Sequence, residues 1–250
     1  MTNRLISPQN RSLTYQQTPG QGPGVVFLGG FKSDMTGTKA LFLQEWAEQT
    51  GHAFLRFDYS GHGQSSEDFE DGAIGDWFED ALAVIQALTT GPQILVGSSM
   101  GGWISLLVAR AIPDRIAGFV GIAAAPDFTE DSMWDRFTPA QKTEMAANGR
   151  VVLPSDYGAP YVITKRLIDE GRRRLVLRAP LLLPFPVRLL QGTADTDVPQ
   201  AIALRLTEHA ICNDLRLTLV KGADHRFSTP DCLQLIRESV ESIIKGPTHA

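Results

Sequence analysis

The stretch Ile94-Leu95-Val96-Gly97-Ser98-Ser99-Met100-Gly101-Gly102, followed by an apolar run from Trp103 to Ala111, decides how this chain is read. The aliphatic residues predict a buried strand, the glycines and serines a tight turn, and the run after them a helix. Gly-x-Ser-x-Gly between a buried strand and a helix is the pattern of a nucleophile elbow, in which the serine sits on a strained turn with its hydroxyl clear of the sheet. Glycines two before and two after the serine are needed because the strand and helix backbones approach too closely for a Cβ. Ser99 has Gly97 and Gly101 at those places, whereas reading Ser98 would put Val96 and Met100 there. Ser99 is therefore the candidate nucleophile and Ser98 the spacer.

Outward from the elbow, short apolar runs alternate with helix-compatible segments. Val25 to Leu28, Ala53 to Phe57 and Ile116 to Ala124 read as strands; Thr38 to Thr50 and Ile74 to Thr90 read as helices, stopped by Gly51 and by Gly91-Pro92. Such alternation predicts βαβ units and a parallel sheet. Leu5 to Gln17, ahead of the turn-rich Thr18 to Gly24, predicts one or two antiparallel edge strands. The rhythm stops at Pro126 and resumes at Val187 with a strand, a helix from Gln200 to His209, a strand from Leu215 to Val220 and a last helix from Pro230 to Ile244.

One domain over residues 1–250 is expected, a mostly parallel twisted sheet with helices on both faces. Residues 126–186 are expected to form a small cap inserted before the penultimate strand, with a helix from Tyr161 to Gly171. Long excursions near the catalytic edge of a sheet are commonly lids or binding loops. Met133, Trp134, Tyr157 and Tyr161 of this segment, with Trp103 of the elbow helix, are accordingly the candidate substrate-binding residues.

A serine hydroxyl is a poor nucleophile near neutral pH, so an imidazole must take its proton and a carboxylate must orient the imidazole. Of five histidines, His225 alone lies at the C-terminal end of a predicted strand after Ser99. His62 precedes the nucleophile between two glycines and reads as a loop residue, and Asp58 reads as a partner for loop amides. Three acids compete to orient His225. Asp224 adjoins it and is discounted because neighbouring side chains rarely bond across such a loop. Asp195 and Asp197 follow the penultimate strand, where the orienting carboxylate belongs, and local chemistry leaves the choice between them open. Gly29-Gly30-Phe31 follows the Val25 strand, so the backbone N–H groups of Phe31 and Met100 are the candidate oxyanion donors. This chemistry calls for no metal and no cofactor.

Composition narrows the rest. A net charge of -5 and the absence of a basic stripe with interleaved aromatics argue against nucleic-acid binding. The two cysteines, Cys212 and Cys232, lack disulfide-framework or metal-ligand spacing and read as packing residues in a reducing compartment. No apolar run reaches the roughly 20 residues of a membrane span. The N-terminus carries Arg4 and Arg11 but no signal-peptide pattern, so a cytoplasmic protein is expected ahead of a mitochondrial one.

The serine with its glycines, an acid after the penultimate strand and a histidine after the last resemble the α/β-hydrolase superfamily over nearly the whole chain. Gly192 to Pro199 matches that superfamily's Gly-x-x-Asp-x-x-Val-Pro pattern, which favours Asp195 over Asp197, and Asp58 to Ser65 matches another of its loops. Within it, Gly51 to Gly61 and Gly91 to Trp103 are similar to segments of the mitochondrial α/β-hydrolase-domain thioesterases, which act on palmitoylated proteins and cleave acyl glucuronides. The resemblance implies ester or thioester hydrolysis on a small-molecule or acylated substrate, in a bacterial relative. Two rival readings stand beside it. One is an aminopeptidase-type amide hydrolase, with Glu130, Asp131 and Asp135 available for a substrate amine; the other is a non-catalytic ligand-binding protein on the same fold.

Overall fold

A computed structural model describes residues 2–154 and 160–246. The chain begins with β1 (Asn3–Ile6) and β2 (Ser12–Thr18), which pair antiparallel. It continues through β3 (Gln21–Leu28), α1 (Thr38–Thr50), β4 (His52–Phe57), α2 (Ile74–Leu88), β5 (Gln93–Ser98), α3 (Met100–Ala111) and β6 (Ile116–Ile122). A long segment then holds α4 (Pro139–Asn148), β7 (Arg150–Leu153), β8 (Tyr161–Thr164), α5 (Lys165–Arg172) and β9 (Leu181–Leu182). The chain closes with β10 (Val187–Gly192), α6 (Gln200–His209), β11 (Ala210–Ile211), β12 (Leu215–Val220) and α7 (Pro230–Ile244).

Among the described residues, eight strands form one sheet in the order β1-β2-β4-β3-β5-β6-β10-β12. Pairing is parallel from β4 to β12, with β1 and β2 antiparallel at one edge. The central strands are apolar on both faces because helices cover both. Successive side chains alternate accordingly: Leu95 of β5 packs with α2 and α3, while Ile94 and Val96 pack with α1 and α7. The helices meet the sheet through stripes at helical spacing, such as Ile74, Trp77, Ala81, Val84 and Ile85 of α2. The elbow helix α3 is buried from Met100 through Ala109, which fits its place against the centre of the sheet.

The segment between β6 and β10 differs from expectation in its details. Tyr161 to Thr164 is a strand rather than the start of a helix: these aromatic and β-branched residues pair antiparallel with β7, and the Thr164 side chain accepts the Leu167 N–H at 3.1 Å to begin α5. Charged side chains fold the segment onto itself and fasten it to the body. Asp127, fully buried, accepts the amides of Val176 and Leu177 at 2.8 and 2.9 Å, and Asp131 pairs with both Arg178 and Arg205 of α6.

Candidate active site

The elbow forms where β5 runs out under its own glycines. A Cβ on Gly97 would lie 2.4 Å from the Gly101 carbonyl oxygen, and one on Gly101 would lie 2.1 Å from that of Leu28. Neither is possible, so both positions require glycine. Between them Ser99 takes φ 52° and ψ −117°, a backbone that side-chain-bearing residues avoid. It is pinned from both directions: its N–H donates to the Ile122 carbonyl at 2.9 Å, and its own carbonyl accepts Gly102 N–H at 2.9 Å and Ala125 N–H at 3.0 Å.

His225 comes from the loop after β12 and Asp195 from the loop after β10, as parallel strands deliver their C-terminal ends to one edge. Ser99 Oγ lies 3.2 Å from His225 Nε2, and His225 Nδ1 lies 2.9 Å from Asp195 Oδ2. The three residues thus form one hydrogen-bonded line. Asp195 is the acid that meets the histidine; Asp197 contributes its backbone N–H, which donates to Asp195 Oδ1 at 2.9 Å. The Val198 N–H donates to the same oxygen at 2.8 Å, and Gln191 Nε2 donates to Oδ2 at 3.0 Å. Burial opposes ionisation of this carboxylate, but the hydrogen bonds from His225, Val198 and Gln191 outweigh it and hold Asp195 below the ordinary carboxylate value. Ligand atoms of Asp195, Asp197 and His225 lie within 4.8 Å of one another. Both Asp195 oxygens already receive N–H donors, so the grouping is a hydrogen-bonding shell rather than a metal shell.

The loop after β3 lies against Ser99: a Cβ on Gly30 would stand 3.5 Å from that of Ser99. Phe31 follows, its ring packed edge-on against Phe69 and Phe128 at centroid distances of 4.8 and 5.7 Å. Met100 opens α3, and the first N–H groups of a helix have no partner within it. Asp58 accepts the Met35 N–H at 2.7 Å and the Gln64 N–H at 2.9 Å, clamping the β3 and β4 loops together. Lys39 Nζ donates to the Arg226 carbonyl and braces the loop that carries His225.

A cavity of about 630 Å³ opens at Ser99 and His225, walled by apolar side chains including Phe128, Phe137, Leu153 and Ile202. Of the predicted binding residues, Met133 and Tyr161 line it. Trp103 does not. It is fully buried, its ring edge-on to Phe128 and its Nε1–H donated to the Arg174 carbonyl at 3.1 Å, so it ties the segment to α3. Trp134 is also off the cavity, lying under the guanidinium of Arg172 at 4.5 Å and the ammonium of Lys142 at 5.1 Å. Tyr157 lies outside the described residues. Gln191 escaped sequence reasoning; its one signal is a polar residue following the apolar pair Leu189-Leu190 near the end of a buried strand.

Comparison with known proteins agrees with this architecture. A sequence profile of the α/β-hydrolase fold matches residues 29–154, half of the chain. The chain belongs to the α/β-hydrolase family. Within the family it is 35% identical to the human mitochondrial palmitoyl-protein thioesterase ABHD10 over 242 residues, covering 96% of this chain and 79% of that protein. Among solved structures, a putative hydrolase from Agrobacterium vitis superposes with a TM-score of 0.94 at 38% identity, covering 98% of each chain. The mouse α/β hydrolase domain-containing protein 10 superposes with a TM-score of 0.91 at 32% identity, again covering 98% of each chain. These relatives correct one expectation. The thioesterases matched are mitochondrial proteins, which overturns the cytoplasmic reading and points to mitochondria. That reading leaned on N-terminal composition, yet Asn3–Ile6 and Ser12–Thr18 are strands of the sheet, so their composition reports folding rather than address.

Proposed function

We propose that this hydrolase cleaves acyl esters or thioesters through Ser99, His225 and Asp195, by way of an acyl-enzyme. The observation that carries the reading is the hydrogen-bonded line from Ser99 Oγ to Asp195 at the mouth of the apolar cavity. His225 Nε2 takes the Ser99 proton as Oγ attacks the carbonyl, and Asp195 stabilises the imidazolium. The Phe31 and Met100 amides receive the oxyanion, each donor contributing about 3 kcal/mol to the transition state. His225 then returns the proton to the leaving oxygen or sulfur, and water, activated by the same imidazole, releases the acid. Residues 126–186 act as a cap, and Met133 and Tyr161 contact the acyl chain.

Similarity to thioesterases named for palmitoylated proteins supports an acyl substrate. The aminopeptidase reading loses support because Glu130 is paired with Arg172 and Asp131 with Arg178 and Arg205, leaving neither carboxylate for a substrate amine, while the exposed Asp135 does not line the cavity. The test is labelling with a fluorophosphonate alongside hydrolysis of p-nitrophenyl esters and acyl-CoA thioesters. Wild type should label and turn over, and Ser99→Ala should do neither. Absence of labelling in folded wild-type protein would refute the serine mechanism.

A further inference from the structure

Lys32, directly after Phe31, has φ 58°, a left-handed backbone that a side-chain-bearing residue disfavours. Something must hold it there. His62 does so from the loop after β4. Its Nε2 accepts the Lys32 N–H at 3.2 Å, and its Nδ1 donates to the Ser60 carbonyl at 3.1 Å. A carbonyl can only accept and an amide N–H can only donate, so these partners select the neutral imidazole protonated at Nδ1. Burial acts in the same direction, pushing the imidazole down to about 4.

The ring has little freedom to leave. It is 4% exposed and enclosed edge-on by Tyr59, Phe69 and Trp77, with centroids 5.5, 5.1 and 5.1 Å away. Its anchor is itself fixed. Ser60 donates its N–H and its hydroxyl to the fully buried Asp80 of α2 at 2.9 and 2.6 Å, its carbonyl also accepts Trp77 Nε1–H at 3.0 Å, and Asp80 is paired with Arg11 at 2.7 Å. A rigid chain of contacts therefore runs from the body of the protein to one peptide of the loop beside Ser99.

We infer that His62 is a positioning residue for the oxyanion loop: by accepting the Lys32 N–H it fixes the peptide next to the one bearing the Phe31 N–H, and so aims that donor at the oxyanion. The inference rests on the proposed hydrolase reading and on Phe31 as a donor. It separates His62 from a merely structural ring, because it needs an acceptor at the ε position rather than an aromatic filler.

The test compares His62→Gln, His62→Asn and His62→Phe in hydrolysis of p-nitrophenyl butyrate. Gln carries an acceptor to about the ε position, Asn reaches only the δ position, and Phe keeps the ring without an acceptor. Loss of the aim should lower kcat by about 30- to 100-fold in the Asn and Phe variants with KM within about twofold, while Gln stays within about fivefold of wild type. Affinity for a trifluoromethyl ketone, whose adduct on Ser99 carries the oxyanion, should fall in step with kcat. Equal kcat in the Gln and Asn variants, or a loss carried by KM, overturns the inference, and this pair decides it alone if the Phe variant does not fold. Ser99→Ala is measured alongside. Turnover retained in Ser99→Ala brings down the hydrolase reading and this inference together; turnover lost there, with wild-type kcat in every His62 variant, overturns this inference only.

Discussion

Gln191 Nε2 stands 3.0 Å from Asp195 Oδ2, the same oxygen that faces His225 Nδ1 at 2.9 Å. The amide also donates to the Val198 carbonyl at 2.9 Å, so one buried side chain at the end of β10 orients the carboxylate and closes its loop. Gln191→Met removes both donors while keeping the volume. A hydrogen bond to a charged group contributes about 1.5 to 3 kcal/mol, so kcat/KM should fall about tenfold or more. Steady-state kinetics on a p-nitrophenyl ester, with thermal melting to verify folding, measures it; unchanged kcat/KM would show that the loop backbone alone holds Asp195.

Two glycines should respond to the same substitution in different degrees. Gly51 ends α1 at φ 72° with nothing within 4 Å of a prospective Cβ, so Gly51→Ala should cost only the left-handed backbone, about 1 kcal/mol. Gly101 lies inside a helix, where alanine is ordinarily favoured, but its Cβ would meet two carbonyl oxygens at 2.1 and 2.6 Å. Gly101→Ala should therefore cost about 3 kcal/mol or prevent folding. Urea denaturation of the two variants ranks them.

Stability should also report the fastening of the segment between β6 and β10. Burial opposes ionisation of Asp131, yet its hydrogen bonds with Arg178 and Arg205 outweigh that and hold it below the ordinary carboxylate value. A lowered folded value means that the contribution is complete above the unfolded value of about 3.9 and disappears as pH falls through the folded one. Both arginines are partly in solvent, so screening reduces the effect. Asp131→Asn should cost about 1 kcal/mol at pH 7. The gap from wild type should narrow below about pH 4, as denaturation across that range would reveal.

On the proposed reading, the cavity beside Ser99 and His225 limits the length of acyl chain that fits. Met133 lines it with Phe137 and Leu153, and a larger side chain there takes up space needed by the distal carbons of a long acyl group. Met133→Trp should reduce kcat/KM for long-chain p-nitrophenyl esters by about tenfold or more, leaving short-chain esters within about twofold. A uniform loss over all chain lengths would place Met133 away from the acyl group.

What was legible in the sequence was what local pattern determines. Strands of consecutive aliphatics and helices with a 3.6-residue stripe declare themselves within a dozen residues, and so α6, β12 and α7 run between the expected residues. Ser99 and His225 were legible because strand ends and chain order locate them; Asp195 needed a spacing pattern. The segment after β6 was harder for a physical reason. The pairing of β7 with β8 is decided by a partner strand, not by the local run, and Tyr161-Val162-Ile163-Thr164 beside Lys165 reads as helix until Val151 and Val152 are set against it. Likewise nothing along the chain says which way an aromatic faces, so Trp103 and Trp134, both suited to an acyl pocket by type, instead pack within the protein. His62 was legible as a loop residue, but its bond to Lys32 joins two strand ends 30 residues apart.

The register of β6 with β10 has a consequence for how such a protein can change. Val187 lies opposite Phe119 and Leu190 opposite Ile122, so the chain leaves the sheet and returns to the adjacent strand, as an ordinary right-handed crossover helix would let it. What lies between is a detour on that connection, and lengthening a closed loop adds little entropic cost. Ser99, Asp195 and His225 stand on strand ends outside that detour. Lineages, and protein engineers, are thus free to vary the parts of the connection that reach neither the core nor the elbow, redrawing the range of molecules admitted while Ser99, His225 and Asp195 stay in place.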